Sequence, residues 1–358
     1  MMKLDALDNA IALPEWSVYA TANAIVSNNL VPIREINGTW PQYHPSQGQN
    51  FALTIAQTQT GVQFRRWSLG VIDRVDWWAS TNKDSADLIY RSKAKLGTDP
   101  GHSYVLDYQL TGFTAKGIQL GKTFEGIATK DWKLNWSSAL SALQGSRYKN
   151  DEVSGFGKVS DTNQIMASVQ RNDADSNLNV SPSHFNPFIP TGKPSGEGYS
   201  IDLAMKIVNS TGYRFDFTMG DAIGQMYWKA IPQIKTVANN INYTYDIYGN
   251  RNSTIAGVDS RGNITENIAP KTSINFTTPT PFGFFEIGDS HFHGVDFPEI
   301  GLGHQGQNWE TVATYDTRTK SVGIVYAIKS FSFGLQSNTF HESEARTFGL
   351  SLSVHIPL

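Results

Sequence analysis

Apolar and polar residues alternate along most of this chain, and the alternation runs to its last residue. In "FGLSLSVHIPL" Phe348, Leu350, Leu352, Val354, Ile356 and Leu358 are apolar, with Gly349, Ser351, Ser353, His355 and Pro357 between them. A period of two belongs to strands with unlike faces. It recurs in "GYSIDLAMKIVNSTGYRFDFTMG", which reads as a β-hairpin turning at "NSTG". Tyr199, Ile201, Leu203, Met205 and Ile207 share one face, and Ser200, Asp202, Ala204 and Lys206 share the other. Tyr213, Phe215, Phe217 and Met219 then alternate with Arg214, Asp216 and Thr218, bringing Lys206 within cross-strand reach of Arg214 or Asp216, depending on register.

The same pattern marks "YVLDYQL", "WKLNW", "VANNINYTYDI" and "SVGIVYAI". "FALTIAQTQTGVQF" and "WSLGVIDRVDWW" read as further strands with a tight turn at "TQTG", while "NWSSALSALQGS" fits a strand as well as a helix. The total comes to roughly twelve to sixteen strands. "AIKSFSFGL" carries a phase change near Lys329 and Ser330. Stretches rich in Gly, Asn, Asp, Ser and Pro separate the strands at about 27–50, 79–101, 171–197, 249–270, 288–306 and 336–346, several of them longer than a hairpin needs. With no repeat and no dividing linker, the economical reading is one all-β domain over 1–358, with 1–15 set apart as a segment that could lie outside it.

A soluble sandwich and a membrane barrel share this period, so the chemistry of the faces must separate them. Aromatic residues are plentiful, with 9 Trp, 14 Tyr and 19 Phe. Many fall toward strand ends in the apolar sets, as Trp67, Trp77, Tyr104, Trp132, Trp136, Tyr199, Tyr213, Tyr243 and Tyr245 do, which suits rings at headgroup level. The polar faces carry charges of both signs in mid-strand, Asp107, Asp202, Lys206, Arg214 and Asp216, alongside Arg65, Arg74 and Asp76. Such charges remain hydrated and paired on the wall of a wet lumen. No sheet edge can stay open in lipid, so the last strand of a barrel must pair with the first. An alternation that persists to the carboxylate fits that need.

On these residues the chain resembles bacterial outer-membrane β-barrel proteins, whose last strand alternates to an apolar, usually aromatic, final residue read by the barrel-assembly machinery. Phe348, Leu350, Leu352, Val354, Ile356 and Leu358 match that pattern, except that the final residue is Leu and Pro357 precedes it. The resemblance implies a closed antiparallel transmembrane β-barrel with several long loops. It also implies a secretory signal ahead of residue 1 in the precursor, and outer-membrane lipid and the assembly machinery as partners.

Charge and candidate chemistry change this picture little. A formal charge of −3 leaves no basic footprint for nucleic acid, and the absence of cysteine removes disulfides and thiolate chemistry. "GDSHFHGVDFPEIGLGH" offers His291 and His293 on one side of a strand, with Asp289, Asp296, Glu299 and His304 near in sequence, but no third ligand is fixed. The run 171–179, "RNDADSNLN", lacks the ligand spacing of a calcium loop. His102, His184, His341 and His355 stand in no hydrolase motif, and "GLGHQGQ" is no phosphate loop. No cofactor is expected. The expected role is a passive channel or export conduit for small polar or charged solutes. Against it stand a closed structural or adhesion barrel, an outer-membrane hydrolase and a soluble glycan-binding sandwich.

Overall fold

The two ends of the sheet meet. In the computed structural model, which describes residues 16–45, 48–160, 165–179, 192–245, 247 and 251–358, strand β16 (Thr347–Pro357) runs antiparallel to β1 (Trp16–Asn28), from Ser17 opposite Pro357 to Ser27 opposite Thr347. The ring continues through β2 (Asn50–Phe64), β3 (Trp67–Thr81), β4 (Ser103–Ala128), β5 (Trp132–Val159), β7 (Ser195–Asn209) and β8 (Arg214–Tyr245). It returns through β10 (Lys271–Thr280), β11 (Gly283–Phe292), β12 (Val295–Gln305), β13 (Trp309–Asp316), β14 (Ser321–Ile328) and β15 (Phe331–Ser337). Fourteen antiparallel strands thus close a barrel. Two more, β6 (Ile165–Asp175) and β9 (Arg251–Asn267), lie outside the ring. They pair with the upper halves of β5 and β8 and build a sheet that rises past the rim.

The two ends of the barrel differ. At the end that holds both termini, neighbouring strands are joined by connections of two to four residues, such as Arg65–Arg66 and 281–282. The opposite end carries the long connections 29–49, 82–102 and 338–346. This is the asymmetry of outer-membrane barrels, short turns at one side of the membrane and long loops at the other.

Parity decides between barrel and sandwich. The polar set is the inner one: Ser27 and Thr347 are buried opposite each other with their hydroxyls 2.8 Å apart, and Ser17, Ser351 (both 0% exposed) and Gln336 lie on the same face. The apolar set is the outer one, with Leu302 67%, Ile324 57% and Leu350 39% exposed. A sandwich would bury the second set. Here it forms an outward band flanked at the terminal end by paired rings: Trp16 on Phe64 (4.6 Å) and Phe124 on Trp136 (3.9 Å), with Lys122 over Trp67 (4.4 Å). Tyr104 departs from this outer set. It is buried beyond the rim against His102.

Several expectations about connections are corrected. "TQTG" is not a turn, because β2 runs through it. Gly61 pairs with Gly70, and a Cβ on either would come within 2.8 Å of the Tyr19 hydroxyl, so the two glycines make room for that side chain. The stretch 249–270 is largely β9, and 288–306 is the β11–β12 hairpin. Lys329–Ser330 is the β14–β15 turn rather than a slip of phase within one strand. The stretch 79–101 hides a helix, α1 (Lys83–Lys93), whose first turn is capped by Asn82 accepting from the Ser85 amide. α1 packs under Trp40 and Val31 of the 29–49 loop, and its Asp84 and Ser85 side chains accept from the Val105 and Asp107 amides, covering the free upper edge of β4.

Candidate transport lumen

The inner wall is built from the polar parity of neighbouring strands, and its centre is an ion-pair network. Arg74 of β3 donates two parallel bonds to Asp221 of β8 (2.7 Å each) and a third to Asp76 two residues on (2.7 Å). Lys271 of β10 bridges the same carboxylates at 2.6 Å from Asp76 and 2.8 Å from Asp221. All four side chains are buried, so each charge relies on the others in place of water. Two cations and two carboxylates cancel. The fork geometry of Arg74 holds the arrangement in one orientation.

A belt of hydroxyls and amides, with one further carboxylate at Asp202, extends the network around half the wall. Ser200 donates to Asp221 (2.6 Å), and the Asp221 amide donates to Asp202 (2.8 Å). Gln119 donates to Asp202 and to Ser141 (3.0 Å each), and Gln59 reaches both Gln119 (2.7 Å) and the Tyr19 hydroxyl (2.8 Å). Nearer the terminal end Arg214 lies among Asp216, Glu286 and Glu310 at 3.1–3.6 Å. Toward the loop end the interior turns apolar: Phe51, Leu53, Trp78, Phe292, Val295 and Phe297 form one cluster, and Met226, Trp228 and Ile231 anchor another. Trp228 lies flat on Gly145 and Gly196 of the adjacent strands, where a Cβ would approach its ring to 2.2–2.3 Å.

Two cavities lie on either side of Lys271. One of about 400 Å3 opens through the terminal half of the barrel, lined by Ser68, Thr123, Ser137, Asp202, Thr218 and Ser273 among others. One of about 170 Å3 lies on the loop side among Ile25, Leu53, Ile55, Phe292 and Phe297. Asn23, Gln57 and Lys271 line both. Below these shared residues inward positions such as Thr123 and Glu125 are exposed, so the terminal half is accessible to water.

Of the residues singled out in the sequence, Arg74, Asp76, Asp202, Lys206, Arg214 and Asp216 face inward, with Lys206 directly opposite Asp216. Arg65 and Asp107 part from that set. Arg65 sits in the β2–β3 turn at φ 52°, and Asp107 lies beside α1 near the end of β3, exposed at the rim. Asp221 and Lys271 were not singled out. A bulge between Ile201 and Leu203, with Asp221 at φ 55°, interrupts the alternation of β8 and turns Asp221 into the barrel. Lys271 did have a signal, since it opens the inward series Lys271, Ser273, Asn275, Thr277.

The histidines scatter. His291 points outward and pairs with Asp296 across the strand (2.6 Å), whereas His293 sits in the turn at φ 50° and stacks on Trp78 (5.0 Å), so the two do not share a face. Among the described residues no three His, Asp or Glu converge on a metal position. His102 contacts Tyr104, His341 precedes the turn at Glu342–Glu344, and His355 meets Ser17 at the wet end; His184 lies outside the described residues. Within the run 171–179, Asp173 and Asp175 are held by Lys149, and Arg171 by Asp151.

His293 lies in the turn, outside the strands. Burial holds it neutral with a pKa near 4, and the charge of Lys271 works in the same direction. The unfolded chain takes up this proton near 6.5 and the folded barrel only near 4, so stability falls as pH drops between those values. His293→Asn, which tolerates the positive φ, is expected to flatten that part of the profile. Melting midpoints at pH 7 and 4.5, read by heat-dependent gel migration, test it; equal slopes in both proteins would refute it.

An antiparallel ring closed on itself, with an apolar band on its outer face, defines a transmembrane β-barrel of the outer-membrane type. No protein-family model matches the chain, and no curated protein matches it. Among solved structures, the toluene transporter TodX of P. putida is similar at a TM-score of 0.39 and 8% identity, over 96% of this chain and 91% of TodX. The outer membrane protease OmpT of Escherichia coli reaches 0.24 and 8%, over 98% and 99%. The P pilus usher PapC translocation pore reaches 0.21 and 8%, over 96% and 100%. Likeness at this level transfers no function.

Proposed function

We propose that the protein is a passive channel of a Gram-negative outer membrane, passing small polar or charged solutes through the barrel. The carrying observation is that the two cavities share Asn23, Gln57 and Lys271 as lining, so that only these side chains stand between the loop-side interior and the water-accessible terminal half. Solutes diffuse along a wall of hydroxyls, amides and paired charges. The neutral Arg74–Asp76–Asp221–Lys271 cluster narrows the path without presenting a net charge to repel either sign. The apolar outer band meets the lipid, and the strand pattern of β16 is the feature the assembly machinery would read.

Planar-bilayer recording of the refolded protein is expected to give discrete, reproducible conductance steps. Lys206→Glu, placed on the wall of the terminal half, should shift the reversal potential in a salt gradient toward cations. A folded barrel that inserts and stays silent would remove the channel reading.

A further inference from the structure

The apolar cavity on the loop side is built differently from the rest of the conduit. The geometry points to it as a binding site for an uncharged solute with a ring-sized apolar body and one polar group, a class that widens the range of the proposed channel beyond small polar solutes and rests on that channel reading. Its walls are Ile25, Leu53 and Ile55 on one side and Phe292 and Phe297 on the other. Those side chains belong to β1, β2, β11 and β12, and the hydrogen-bonded ladders behind them hold the walls in place. At about 170 Å3 the space is close to the roughly 150 Å3 of an apolar cavity that takes up benzene.

The polar groups of the lining are few, and the side chain of one of them, His291, is held by Asp296. Asn23, Gln57 and Ser290 offer amides and a hydroxyl, and the nearby Lys271 is already held by Asp76 and Asp221. A charged ligand would have to compete with those carboxylates or leave its charge against apolar walls, which is costly. A neutral hydroxyl meets neither obstacle. Mostly apolar lining with a few convergent polar groups is the composition of a small-molecule site, the polar groups fixing orientation. Because Asn23, Gln57 and Lys271 also line the wet cavity, a solute oriented in this way has its polar group facing the water-accessible half.

The test uses the full barrel in lipid nanodiscs with 4-fluorobenzyl alcohol as probe, followed by fluorine NMR. Saturable binding above the partitioning into empty discs is expected, unaffected by an excess of glycerol, which has a similar polar end and no apolar body. Ile55→Trp, which fills the cavity, should weaken binding at least tenfold, and Ile118→Trp on the lipid face should not. If Ile55→Trp fails to give the folded gel band, Ile25→Phe replaces it. Signal that matches empty discs, or saturable binding unchanged in the filled variant, overturns the site. Conductance on the same preparation separates the two readings: an open pore without saturable binding sinks this inference alone, and a silent barrel with binding lost in the filled variant upholds the site while removing the channel.

Discussion

Arg74→Ala is expected to lower the stability of the folded barrel by about 3–5 kcal/mol and to raise its conductance. The magnitude follows from what the change leaves behind, because losing one partner of a buried ion pair exposes the others to an interior that cannot solvate them. Asp76 and Asp221 would then face one cation, Lys271, at 2.6 and 2.8 Å, with no guanidinium between them. The conductance effect has a separate cause: the side chain crosses from β3 to β8, and its removal opens space beside Asp221 and Lys271, which line the wider cavity. Replacing the pair together, Arg74→Met with Asp221→Asn, removes one charge of each sign and should recover most of the stability while keeping the wider path. Lys206→Ala, at the wet end, should cost about 0–1 kcal/mol by comparison. Urea midpoints in lipid vesicles read the first effect and single-channel steps the second. An unchanged midpoint in Arg74→Ala would show that the network does not hold the wall.

How much of this was legible in the sequence depends on the face in question. The outer face was readable because lipid imposes one chemistry on every strand, and the alternation from Phe348 to Leu358 survives intact in β16. The inner face is not packed against a continuous apolar core, so its residues can be small. Gly288, Gly301 and Gly303 sit there, and a Cβ on Gly303 would meet the Phe284 ring at 2.0 Å. The result is strand that reads as turn, and for that reason 288–306 has the composition of a loop. Helix α1 was hidden for the opposite reason: it is short and half-exposed, and its clearest signal is the cap at Asn82, not a periodic apolar stripe. In the site, parity found Arg74, Asp76 and Asp202 but not Asp221. The bulge that turns Asp221 inward is a backbone event: it adds two residues to β8, so the alternation resumes in the same phase beyond it and residue types carry no mark of it.

Deleting Thr347–Leu358 is expected to abolish the folded barrel altogether. Without β16, the inner edge of β1 and the edge of β15 lose their ladders together, exposing rows of amides and carbonyls that in hydrocarbon cost several kcal/mol each. No compensating pairing exists within the ring, since β1 and β15 are separated by the width of the missing strand. The truncated chain should give neither a heat-modifiable band nor conductance. That result alone would not distinguish loss of a strand from loss of an assembly signal, so two neighbouring point changes refine it, with refolding carried out in lipid without any cellular machinery. Leu350→Arg places a cation in the lipid-facing band and should cost about 2–4 kcal/mol if it lies near the midplane. Ser353→Lys, on the opposite face toward the wet end and close to Thr21, projects into the lumen and should cost far less. The two positions sit three residues apart on one strand and differ chiefly in the side of the wall they face. Equal costs would mean that the outward and inward assignments of β16 are wrong, and with them the reading of which face of the sheet meets the membrane.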